Sequence, residues 1–194
     1  MCIRDSPLEK QLRAERAAIV DTLDSLTDDE FETGTTLCEE WAPRDIIAHL
    51  MGVDHALVEY AKHPGKINDA NAAIVRKARS MPRERLMNRA RHWAAKPAPL
   101  TRLTAAFFLG DTAMHHQDIL RGLGRTRDVP APSAAAILRE GIVLGGFKKL
   151  PSHRLEPTDG GPAIGRGTVV RGTSEAIGLW LAGRKGIEPE LEFA

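Results

Sequence analysis

The chain has 194 residues, 42% of them hydrophobic, with 27 basic and 26 acidic side chains for a formal net charge of +1. That length supports one good core, or one core with a smaller appended unit. No single-sign charge block marks a nucleic-acid or membrane-surface partner, and charges interrupt the longest apolar stretches well short of membrane-spanning length.

With no signal-like apolar region ahead of a small-residue cleavage site, a soluble cytoplasmic protein is expected. Two cysteines, Cys2 and Cys38, make no disulfide framework. The opening Met1-Cys2-Ile3-Arg4-Asp5-Ser6 reads like the in-frame translation of a sequencing-adapter end. It is set aside from fold reasoning, which leaves Cys38 as the cysteine of the fold.

Residues 7–26 predict a helix: Pro7 suits a first turn, and Leu8, Leu12, Ile19, Leu23 and Leu26 recur on one face. A polar turn over Thr27–Glu30 and an irregular stretch to Trp41 follow. A second helix is expected from Pro43 to about Ala61, with Ile46, Leu50, Val53 and Leu57 on its apolar face. His49 borders that face, whereas His55 points away from it. After the break at 62–66, a polar helical piece over 69–79 leads to Pro82 and a helix through Trp93. Past Lys96-Pro97-Ala98-Pro99, a helix from Leu100 to Gly122 carries Thr104, Phe107, Asp111, His115 and Asp118 along one stripe. Ser133 is expected to cap a last bundle helix reaching about Lys149, whose Gly141, Gly145 and Gly146 weaken it but permit close packing.

From Pro151 the texture changes. His153–Pro157 and Gly167–Arg171 read as short strands around the turn Asp159-Gly160-Gly161. Thr173 then caps a helix carrying Ile177, Trp180 and Leu181, and Glu190–Phe193 alternates as a final strand. The expectation is a mainly α chain: a bundle of four or five helices over 7–150, then a small α+β unit over 151–194.

Asp111 and His115 stand at i, i+4, so a carboxylate and an imidazole project from adjacent turns of one face and can share a metal. His49, on another helix, would complete a set of three with positions left open, as catalytic zinc sites require. The spacing alone equally describes a plain ion pair. His116, like His55, is expected to face solvent, with His63 and His92 on the surface or in loops and His153 opening a strand. Cys38 lacks a neighbouring basic pattern and reads as a small core residue. No HExxH, paired CxxC, Walker A loop or GxSxG elbow is present.

Thr36-Leu37-Cys38-Glu39-Glu40 followed by Trp41-Ala42-Pro43-Arg44-Asp45-Ile46-Ile47-Ala48-His49-Leu50 resembles a signature of the mycothiol-dependent maleylpyruvate isomerase family. Asp111-Thr112-Ala113-Met114-His115-His116-Gln117-Asp118 is similar to the second signature of that family. Arg166–Gly172 and Leu179-Trp180-Leu181-Ala182-Gly183-Arg184 resemble its C-terminal pattern. The similarity runs in matching order from about residue 8 onward.

The resemblance implies a DinB-like four-helix bundle followed by a small α+β domain, with a divalent metal, most readily zinc, on His49, Asp111 and His115. It further implies mycothiol or a similar thiol as cofactor and a small electrophilic acid as substrate. Thiolate addition and loss after bond rotation would give isomerisation; retention would give transfer. A non-catalytic metal-binding or stress-response module on the same scaffold is the alternative. Asp111 departs from the usual glutamate and is one methylene shorter. Asp118 either accepts the second imidazole N–H of a ligand or joins an ordinary polar network. Arg184 falls where the resemblance implies an arginine that holds an anionic substrate or thiol cofactor, and equally could complement a helix dipole.

Overall fold

The computed structural model describes residues 6–62 and 67–194, with side chains at 55–62, 67, 68, 100 and 103 outside the description. The expectations for His55, Leu57 and His63 therefore lie outside the described residues. The fold is mainly α, with a small α+β part at the C-terminal end.

Helix α1 (Pro7–Asp24) starts where the Ser6 hydroxyl accepts the Glu9 N–H and Pro7 fills the first turn. Leu12, Ile19 and Leu23 are buried along one face, but Leu8 is 41% exposed and does not share in it. The expected polar turn at Thr27 is instead the start of α2 (Asp28–Thr33). Thr27 and Glu30 exchange backbone and side-chain bonds in a capping box, and Phe31 buries the short helix against the core. The bundle continues with α3 (Pro43–Lys62), α4 (Ile67–Arg79) and α5 (Arg83–Ala95).

The single helix expected over 100–122 is two: α6 (Pro99–Leu103) and α7 (Ala105–Gly122). At Thr104 the backbone leaves helical geometry, with φ −109° and ψ 26°. Helix α8 (Ala131–Leu144) begins before Ser133, with Pro132 accommodated in its first turn. Ser133 is not its cap; its hydroxyl donates to Glu15 Oε2 at 2.8 Å. The helix also ends before Lys149, where Gly145 and Gly146 lead into a 3₁₀ turn over Gly146–Lys148.

The C-terminal part holds β1 (His153–Pro157), β2 (Ile164–Gly165), β3 (Thr168–Gly172), α9 (Ser174–Leu181) and β4 (Glu192–Phe193), in the sheet order β2-β1-β3-β4. β1 and β3 are parallel, with Leu155 opposite Val170, while β2 and β4 flank them antiparallel. β2 went unforeseen, since two residues ending at Gly165 offer no alternation to read. Thr173 caps α9 as expected, accepting the Ala176 N–H.

Helix α1 lies against α5 and α7, α7 against α8, and α8 against α9. At the last contact, Gly141 and Gly178 let two helix backbones meet: a Cβ on Gly141 would stand 2.2 Å from the Gly178 carbonyl oxygen. Ala113, Met114, Ile137, Ala176 and Leu179 form one buried cluster there, so the C-terminal helix shares its core with α7 and α8. Among the described residues no helix is long and apolar enough to cross a membrane.

Candidate functional site

His49 sits in the second turn of α3, held by a helix whose Ile46, Ile47 and Leu50 are buried in the main core. Asp111 and His115 project from α7, where Ala113 and Met114 are buried. The structure brings all three together. Asp111 Oδ1 lies 3.5 Å from His115 Nε2 and 3.8 Å from His49 Nε2. The two imidazoles stand 5.1 Å apart, nearly perpendicular, and Trp41 covers them with its ring 4.8 Å from that of His49. Nδ1 of His49 is buried without a hydrogen-bond partner.

The far side of His115 is equally furnished. Nδ1 lies 2.9 Å from Asp118 Oδ2, and Asp118 is fully buried. Arg184 grips the same carboxylate with two bonds of 2.8 Å, while the Cys38 thiol donates to Asp118 Oδ2 at 3.1 Å. Burial would raise the Asp118 pKa, but His115 and Arg184 outweigh it and hold the carboxyl at about 2. Burial pushes the His115 pKa down; Cys38, Asp118 and Asp111 around the ring overcome this and raise it well above the ordinary value. Asp111 follows the same logic, with burial opposed by His49 and His115, which leave its pKa lowered.

These groups line a cleft of about 920 Å³, open to solvent between α3, α7, α8 and the loop after α9. Glu140 of α8 enters it as well, and sequence reasoning missed this residue. Its Oε2 would stand 3.0 Å from a Cβ on Gly110, so the bare backbone beside Asp111 makes room for the carboxyl. Burial and the nearby Asp111 push its pKa up to about 7. The available signal was the one acidic residue of α8, next to Arg139 on a mostly apolar helix.

The other sequence expectations fare unevenly. His116 is not solvated. It is 1% exposed, with Nδ1 at 2.9 Å from Glu15 and Nε2 at 2.8 Å from Thr22. A helix face turned from one site can still be buried against a neighbouring helix, here α1. His92 is exposed, and His153 packs edge-on to Trp180 at 5.5 Å. Cys38 does pack on the core, yet its sulfur also lies 3.6 Å from His115 Nδ1.

Two imidazole nitrogens and a carboxylate oxygen suit zinc or a similar divalent ion. Donors bound at about 2.0–2.1 Å around a tetrahedral ion lie about 3.4 Å apart. The observed spacings of 3.5 and 3.8 Å are of that size, and the cleft leaves one side of the set open. The residues fit such an ion.

Residues 12–70 match the family model described as the mycothiol maleylpyruvate isomerase N-terminal domain. None of the curated proteins matches the sequence significantly. Among solved structures, the crystal structure of the mycothiol-dependent maleylpyruvate isomerase superposes with a TM-score of 0.69 at 17% identity, covering 98% of this chain and 94% of that one. A histidine-to-alanine mutant of it superposes equally well at 16% identity. At those identities the superpositions establish the fold. The family match covers the N-terminal segment, and over nearly its whole length the chain shares the fold of the mycothiol-dependent maleylpyruvate isomerase.

Proposed function

We propose that the chain is a metal-dependent enzyme that uses a low-molecular-weight thiol, of the mycothiol kind, to isomerise or transfer to a small electrophilic acid. The supporting observation is the meeting of His49, Asp111 and His115, from two helices, at the wall of one open cleft. These three would hold the ion, with zinc the best match to the donor set. The ion, when bound, supplies a positive centre that keeps a thiol deprotonated near neutral pH.

The chain's own groups then divide the remaining work. Asp118 accepts the Nδ1–H of His115, which points Nε2 toward Asp111 and the cleft, where the ion would displace the Nε2 proton. Arg184 offsets the Asp118 charge through Nε and Nη2 and lines the cleft, where its other amino group could donate to an acidic substrate. Glu140 can hold a proton at its carboxyl near pH 7, which suits proton exchange with a bound acid. Phe107, Val143 and Leu144 give the cleft mouth an apolar lining that limits water. The setting would be the cytoplasm, where a thiol cofactor stays reduced.

A non-catalytic metal-binding module is the second reading, favoured by the shorter carboxylate at Asp111. Elemental analysis of wild type beside His115→Ala, followed by maleylpyruvate turnover with mycothiol, tests both. Stoichiometric metal in wild type, lost in His115→Ala, with turnover abolished by His49→Ala, supports the enzyme. Bound metal without turnover on any thiol acceptor sinks it in favour of the module.

A further inference from the structure

A second cleft, of about 950 Å³, opens between α3, α4 and α5 and shares no lining residue with the His49 cleft. Its volume falls in the range of small-molecule sites, roughly 300–1,000 Å³. Its apolar surface comes from Met51, Ile74, Leu86 and Trp93. Ile74 of α4 laps so closely over Gly52 of α3 that an added Cβ would stand 2.4 Å from it. Both residues line the cleft.

The rim is basic. Arg85, Arg89 and His92 recur at helical spacing along one stripe of α5, Lys96 follows at its C-cap, and Lys77 of α4 lines the same cleft. Among the described residues, Lys77, Arg85, Arg89 and Lys96 have no ion-pair partner. Arg79, Arg83 and Arg91, on the same two helices, each hold a carboxylate instead. Two acids share the lining with the basic residues. Asp54 is closed off by two bonds from the buried Arg16, at 2.9 and 2.7 Å, which leaves Glu84 alone on the rim. Arg85 and Arg89 stand at i, i+4 and repel each other, so the stripe weakens α5 unless an anion meets it. The wall also contains an orphan donor: Nε1 of Trp93 is buried without a partner.

We propose that this cleft binds a small amphipathic organic anion. The ligand class is an aliphatic or aromatic carboxylate whose apolar body lies on Met51, Ile74, Leu86 and Trp93 and whose carboxylate meets Arg85 and Arg89. The site stands apart from the metal centre and does not depend on the proposed reaction.

Titration of the ¹⁵N-labelled full chain with octanoate, followed through the indole resonance of Trp93 (assigned with Trp93→Phe), tests this directly. A saturable shift of that resonance is expected. Affinity should fall at least about tenfold in the Arg85→Ser/Arg89→Ser double variant, from the loss of charge-assisted bonds. The uncharged 1-octanol, measured on wild type, should bind weaker by a similar factor, and His49→Ala should leave octanoate binding unchanged. No saturable shift, equal binding of octanoate and octanol, or a shift centred on Trp41 instead would overturn the proposal.

Discussion

Asp118 Oδ2 lies 2.9 Å from Nδ1 of His115, on the opposite edge of the ring from the 3.5 Å approach of Asp111 to Nε2. One imidazole is thus held between two carboxylates, with its proton directed to the buried one. A ligand imidazole whose far N–H is held this way keeps its tautomer and orientation. Asp118→Asn should lower zinc affinity about 10–100-fold, measured by competition with a chelating indicator. An affinity equal to wild type would show that Asp118 does not orient His115.

Arg184 and Asp118 form a pair in which the carboxylate is fully buried and the guanidinium side chain only 17% exposed. Removing the guanidinium leaves the buried charge with His115 and the Cys38 thiol alone, a change that costs up to about 3–5 kcal/mol. Arg184→Met should therefore lower the urea midpoint of the metal-free protein markedly. Arg184→Lys, which restores charge without the two-pronged geometry, should recover only part of the loss. A midpoint within error of wild type for Arg184→Met would mean that Asp118 finds its balance elsewhere.

Most of the helices, and the face that Asp111 and His115 share, are legible for a physical reason: amphipathic periodicity reports burial, and i, i+4 spacing reports a shared face. The pairing of His49 with α7 came from motif resemblance, because periodicity says nothing of which helices meet. Thr27–Glu30 looked like a turn since its polar residues suit both a loop and a capping box, and Phe31 behind them decides which. His116 was misplaced because α7 is buried nearly all round, against α1 and α8, so no face of it is solvent-facing by default. Glu140 was invisible because its meaning depends on Gly110 and Asp111, some 30 positions away in the chain.

The close approach of α8 and α9 rests on two glycines facing each other's backbone. A Cβ at Gly178 would stand 2.5 Å from the Ile137 carbonyl oxygen, which belongs to a helix backbone and cannot rotate aside. Gly178→Ala should destabilise the protein by about 1–3 kcal/mol through overpacking, even though alanine favours a helix more than glycine does. Urea denaturation would register this as a lower midpoint with an unchanged slope. A stabilised variant would mean that α9 can shift on α8 at little cost.

Glu140 carries the pH dependence. Its pKa is raised from 4.5 to about 7, first by burial and then by Asp111, so the folded state binds a proton that the unfolded chain has already released between those values. Where the folded state binds more protons, stability falls as pH rises. The metal-free protein should thus lose stability from about pH 4.5 to 7 through this residue, and the loss should level off above it. Glu140→Gln keeps the shape and the buried polar atoms but has no proton to lose. Its advantage over wild type should be absent near pH 4.5 and grow to roughly 3 kcal/mol at pH 8, the size that a rise from 4.5 to about 7 implies. Paired urea titrations at the two pH values measure the difference. A gap that stays constant with pH would show that Glu140 ionises in the folded protein as it does in the unfolded chain, and that its carboxyl is not the proton-holding group of the cleft.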